Sequence, residues 1–221
     1  MNQALFQRAL MTVRDCLGVE PGQDVVVVED GTIDAGLVEA FVLAAKALGA
    51  TTTVVNYQPR HFISMKEFGL FAGASLRRHD FSLPRPLIKA MEFSQAAIVL
   101  NSDMEILFED NFLALLKGGR KMAWMPYLDP DNFLRLLPES LVEARELHQL
   151  TTRVGQVFVG ARTVTVRSEA GTDVRLEIGD YRINWGTGIF EEGKGYGGLE
   201  IWPGGQISTM PNARTANGTV V

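Results

Sequence analysis

With 221 residues, 46% of them hydrophobic, the chain can build one sizeable domain, or a domain and a small companion, without disulfide staples. Its 26 Asp and Glu outnumber 21 Lys and Arg, giving a net charge of −5, and no basic block stands ready to neutralise phosphates, so nucleic acid is not an expected partner. No segment reaches membrane-spanning length, and the opening MNQALFQRALMTVRDCLGV carries charge at Arg8, Arg14 and Asp15 and has no signal-peptide core; the expected address is the cytoplasm.

The first predicted helix carries the single cysteine, Cys16, in its apolar pattern, where it is expected to pack as a small hydrophobe. After the turn Pro21-Gly22, the run Val25 to Val28 is continuously apolar, as in a strand buried on both faces of a parallel sheet. Ile33, Leu37, Phe41, Ala44 and Leu48 then recur at helical spacing, with Asp34 as cap and Gly49 as stop. The β-branched stretch Thr51 to Tyr57 reads as a second strand.

The order repeats with a helix near Pro86 to Phe93, a strand at Ala96 to Leu100, a helix from about Ile106 to Lys117 and a strand at Met122 to Met125. Such alternation predicts an α/β fold, a doubly wound and mostly parallel sheet with right-handed crossovers. Between Gln58 and Pro84 lies an irregular segment with His61, Arg77, Arg78 and His79, too long for an ordinary connection and read as hiding a short helix. Asp129 and Pro130 mark a helix start. Leu141, Ala144, Leu147, Leu150 and Val154 mark one face of a longer connector helix.

Beyond it the pattern changes to alternation. Val164 and Val166, then Val174, Leu176 and Ile178, form a β-hairpin around Ala170-Gly171-Thr172. The expected organisation is a sheet domain over 1–137, a connector helix over 138–157 and a small β-rich domain over 158–221.

Motifs for known chemistry are sparse. Eight glycines between Gly186 and Gly205 imitate nucleotide-binding loops, but Gly195 stands where a phosphate loop needs Ser or Thr, and Tyr196-Gly197-Gly198 cannot open the required helix. Glu29-Asp30-Gly31 after the first strand puts carboxylates where a dinucleotide would place its phosphates, so no cofactor is expected. Asp30 and the Asn101-Ser102-Asp103 turn remain candidates for polar ligand contacts, with capping and turn formation as the stronger reading. The three histidines, His61, His79 and His148, make no local metal-binding pattern, and no serine elbow appears, so no catalytic and no metal residue is assigned.

Four segments carry a family resemblance: VEPGQDVVVV from Val19 to Val28, Glu169 to Asp173, LEIWPGGQISTMP from Leu199 to Pro211, and NGTVV from Asn217 to Val221. Together they resemble the thermophilic-type leucyl aminopeptidases, a metallopeptidase group that includes iron-dependent dihydroxypyridine dioxygenases. The resemblance implies a glutamate metal ligand where this chain has Gln206, with the remaining ligands downstream of NGTVV. A neutral amide cannot offset the charge of two divalent cations.

The resemblance, read with that loss, points away from catalysis and toward a cytoplasmic accessory scaffold that presents a precursor peptide to tailoring enzymes of a ribosomal peptide pathway, such as the crocagin type. An alternative is an aminopeptidase or iron-dioxygenase relative completed by a partner chain. The expected partners are a peptide, a tailoring enzyme and, by analogy with the aminopeptidases, a second copy. The expected peptide-binding residues are Trp185, Phe190, Tyr196 and Trp202, with Arg182, Lys194 and Arg214 gripping acidic side chains. For Trp185 and Trp202 a place in the core is the stronger reading.

Overall fold

The computed structural model describes residues 2–57, 83–101, 112, 114–115, 120–126, 129–179, 183–191, 199–212 and 214–221. Five parallel strands form its centre: β1 (Asp24–Glu29), β2 (Thr51–Asn56), β3 (Ala96–Asn101), β4 (Lys121–Pro126) and β8 (Leu199–Ile201), in the order β2-β1-β3-β4-β8. All six residues of β3 are buried, as are five of six in β1. That is the burial a parallel sheet requires when both faces are covered.

Alternate side chains of each strand feed two cores. One face takes Val25, Val27, Ile98, Ala123 and Met125 and is covered by α1 (Gln3–Met11), α2 (Ala35–Ala47) and α4 (Pro130–Leu136). Phe41 lies at its centre, edge-on to Phe133 at 5.5 Å and stacked on Trp202 at 6.1 Å. The opposite face takes Val26, Val28, Val99, Met122 and Trp124 under Leu87 and Met91 of α3 (Arg85–Phe93). The doubly wound reading is the structure.

The helix signals act as the sequence predicts. Asp34 accepts the N–H groups of Gly36 and Leu37 at 2.9 and 3.2 Å, and Gly49 follows the helix at φ 81°. Asp129 accepts the Asn132 N–H at 2.7 Å, with Pro130 in the first turn. Of the helix expected over about 106–117, only Phe112, Ala114 and Leu115 are described, and they are helical. The segment from Gln58 through Phe81 and Ser82, with its histidines and arginines, lies outside the described residues.

Two expectations change. The connector helix α5 (Leu141–Val159) buries Ala144, Thr151 and Gly155, so Leu150 and Val154 point to solvent. Small residues win the inward face because Trp185 is packed there; a Cβ on Gly155 would sit 2.9 Å from its ring. The division near 157 is also crossed, since β8 pairs with β4 and returns 199–202 to the central sheet. What remains beyond α5 is the hairpin β5 (Thr163–Arg167) and β6 (Asp173–Glu177) with β10 (Asn217–Thr219) on its edge, and the short pair β7 (Asn184–Gly186) and β9 (Gln206–Ser208).

Candidate functional site

In an open parallel sheet, ligands bind beyond the carboxyl ends of the strands where the strand order reverses. Here the chain steps from β1 outward to β2 and then back across to β3, so the reversal lies between β1 and β3. Glu29 and Asp30 close β1, Asn56 and Tyr57 close β2, and Asn101 closes β3.

Hydrogen bonds hold these side chains. The Glu29 carboxylate accepts the Gly31 N–H at 2.7 Å and a hydrogen bond from the Asn56 amide. Asp30 accepts both the N–H and the hydroxyl of Thr32, at 3.0 and 2.6 Å, which fixes the turn out of β1. Asn101 is fully buried; its amide donates to the Tyr57 hydroxyl at 3.1 Å, and its carbonyl accepts from the Trp124 indole N–H. The Glu29 and Asp30 carboxylates thus lie at the end of β1, and a buried amide, phenol and indole at the ends of the neighbouring strands satisfy one another. Turn formation, the stronger sequence reading for Asp30, is what the Thr32 bonds show. The buried Asn101 network goes beyond turn chemistry.

A second buried polar group had no signal in the sequence reading. Glu200, 3% exposed on β8, accepts the Gly188 N–H at 2.6 Å. Burial pushes its carboxyl up to about 8, against the opposing pull of N–H groups of Gly188, Ile201 and Thr187. Around it, the Trp202 indole donates to the Gly188 carbonyl at 3.0 Å and the Phe190 N–H to the Cys16 carbonyl at 2.7 Å. A Cβ on Gly204 would fall 2.5 Å from Gly188 N, so the Pro-Gly-Gly run serves close packing of this chain on itself. Burial also pushes the Cys16 thiol up to about 12, which leaves it inert at neutral pH.

Four of the residues nominated for peptide contact are among the described residues. Trp202 is 1% exposed and stacked in the core, so it offers no surface to a guest. Phe190 and Trp185 are half-buried, the first against the main core and the second against Gly155. Arg214 is exposed on the turn before β10. Arg182, Lys194 and Tyr196 lie outside the described residues.

Comparison with known proteins decides the lineage, because the family model of NicX, 2,5-dihydroxypyridine 5,6-dioxygenase, matches residues 3–221. The chain belongs to the dihydroxypyridine dioxygenase family. A 2,5-dihydroxypyridine 5,6-dioxygenase of Pseudomonas putida KT2440 is 26% identical over 219 residues, 98% of this chain and 57% of the relative. The solved structure of a 2,5-dihydroxypyridine dioxygenase from the same organism superposes with a TM-score of 0.68 at 22% identity, over 98% of this chain and 58% of that one. AmpT from Thermus thermophilus shares the fold with a TM-score of 0.57 at 13% identity, over 98% and 63%. The chain therefore spans somewhat more than half the length of these relatives.

The metal that the family resemblance implies can be tested against the donors present. Gln206 is exposed on β9, with its neutral amide opposite Gly186. Among the described residues, no group of three or more His, Cys, Asp and Glu side chains could hold a metal ion. Glu29 and Asp30 are already engaged by Asn56, Gly31 and Thr32. The described donors do not fit a metal centre of their own. Among the described residues, no helix is long and apolar enough to cross a membrane.

Proposed function

We propose that these residues form the sheet-and-cleft portion of a dioxygenase-type enzyme acting on a hydroxylated aromatic ring, with the metal ligands supplied by polypeptide beyond them. The match over residues 3–221 carries this reading. The strand ends at the β1–β3 reversal support it as the place where such a ring would bind, with the buried Asn101–Tyr57–Trp124 network holding the ends of three strands beneath it. In this role the chain binds and orients the ring, and Glu29 and Asp30 hold the loop that follows β1.

The peptide-presenting scaffold is the weaker reading, because Trp202 is spent in the core and Trp185 and Phe190 pack against their own chain. Titration with 2,5-dihydroxypyridine, followed by Trp124 fluorescence, tests the proposal. Saturable quenching that weakens at least about tenfold, or about 1.4 kcal/mol, in Asn101→Ala is expected. Absence of saturable binding, together with tight binding of a peptide encoded beside the gene, would reverse the preference.

A further inference from the structure

Residues 187–191 belong to no helix or strand, yet they tie the edge strand β8 to the π-helical turn Thr12–Cys16 that follows α1. The Glu200 carboxyl on β8 accepts the Gly188 N–H at 2.6 Å, the Trp202 indole donates to the Gly188 carbonyl at 3.0 Å, and the Phe190 N–H reaches the Cys16 carbonyl at 2.7 Å. Thr187 is buried, but Ile189 and Phe190 are only partly so. The segment is a strap fastened at a few points. Local opening starts in such places, where few bonds and few apolar contacts are given up together.

One fastening is a group that can change charge. Glu200 is 3% exposed, and the cavity at the joint, lined by Thr12, Cys16, Thr187 and Gly188, measures about 10 Å³, no more than a single water needs. Glu191 on the strap opposes a second negative charge, and Cys16, next to Asp15, is itself held neutral in part by Glu200. Arg8 of α1 is turned to the Leu134 and Leu137 carbonyls, and Lys121 of β4 to the Gly18 carbonyl. Helix α5 lines the cavity with Ala144 and Leu147, and Glu143 and His148 are the titratable residues next to them. Among the described residues no cation pairs with Glu200. A carboxylate formed there, with neither a counter-charge nor room for water, is relieved when something around it moves. The strap is the part not built into a helix or a strand.

We infer that residues 187–191 form a pH-sensitive strap, closed over β8 and Cys16 while Glu200 is protonated and opened by its ionisation, so that the carboxylate is hydrated and Cys16 is reached by solvent. This device does not depend on the aromatic-ring chemistry above. In the closed form the Glu200 carboxyl titrates at about 8, and in the open form near its ordinary 4.5. The ratio of open to closed chains therefore rises about tenfold per pH unit between those limits and levels off above them.

Cys16 is the only cysteine of the chain and reports the opening. The full chain is alkylated with iodoacetamide between about pH 6 and 7.5, at reagent concentrations low enough for opening and closing to outpace labelling. An exposed thiol alone reacts about tenfold faster per pH unit, through its thiolate. Opening multiplies that rise, so the logarithm of the wild-type rate should climb with a slope of about two, against about one in Glu200→Gln. His148→Gln should keep the slope of about two. A second readout needs no variant: the Gly188 and Phe190 amides should exchange with solvent at least about tenfold faster than the Trp202 amide, which donates to the Trp124 carbonyl inside the sheet. Four results would each overturn the inference: a wild-type slope of about one; the same slope in Glu200→Gln as in wild type; loss of the extra slope in His148→Gln; or exchange at Gly188 and Phe190 no faster than at Trp202, which would mean that whole-chain unfolding alone uncovers them.

Discussion

The central sheet and the strands beyond α5 are built from similar residues and meet opposite fates. β1 and β3 present valine, isoleucine, leucine and alanine to two covered faces and are almost wholly buried. β5 and β6 alternate apolar and polar residues, with β10 on the edge, yet no residue of the three strands is buried and Val166 remains half-exposed. An antiparallel sheet can face water on one side, whereas a parallel one is stable only between layers. Stability is therefore expected to reside in the sheet with its helices, and tolerance to change in the hairpin.

Mutations can break or sharpen that contrast. Phe41→Ala removes the ring between Phe133 and Trp202 and should cost about 3–5 kcal/mol in denaturant unfolding. A loss below that range would mean that the core collapses around the gap.

Glu200 tests the same region through pH. Its folded-state value, about 8, lies above the ordinary 4.5, so the folded chain binds the extra proton between those limits. The associated stability is fully present below about 4.5 and is lost as pH rises through about 8, on the order of a few kcal/mol. Glu200→Gln should flatten that decline and have the higher Tm at pH 9. Equal pH slopes for the two proteins would contradict the assignment.

Asn101→Ala strips partners from Tyr57 and Trp124 and should cost about 1–3 kcal/mol, measured by urea unfolding. At the other extreme, Val166→Thr in the hairpin should stay within about 0.5 kcal/mol of wild type. If it approached the Asn101 value, the hairpin would have cover that the chain alone does not provide.

The elements most legible in the sequence are those specified locally. The apolar run of β1, the Asp34 cap, the Asp129-Pro130 start and the hairpin around Gly171 each declare themselves within a few residues. Strand β8 does not, because three residues inside a glycine-rich stretch become a strand only by pairing with β4, more than seventy positions away. Glu200 was hidden for the same reason: between Leu199 and Ile201 it reads as the solvent side of an alternating strand, and only the fold buries it. Asp30 and Asn101 could be nominated in advance because strand ends in α/β proteins have predictable positions. The network of Asn101 with Tyr57 and Trp124 could not, since it joins the ends of three strands.

The bond from Phe190 to the Cys16 carbonyl reaches from one end of the chain toward the other. It makes the amino-terminal helix a lid on the carboxyl-terminal loop. Shortening the protein to begin at Val19 would uncover Trp202 and open Glu200 to water, releasing its proton near neutrality.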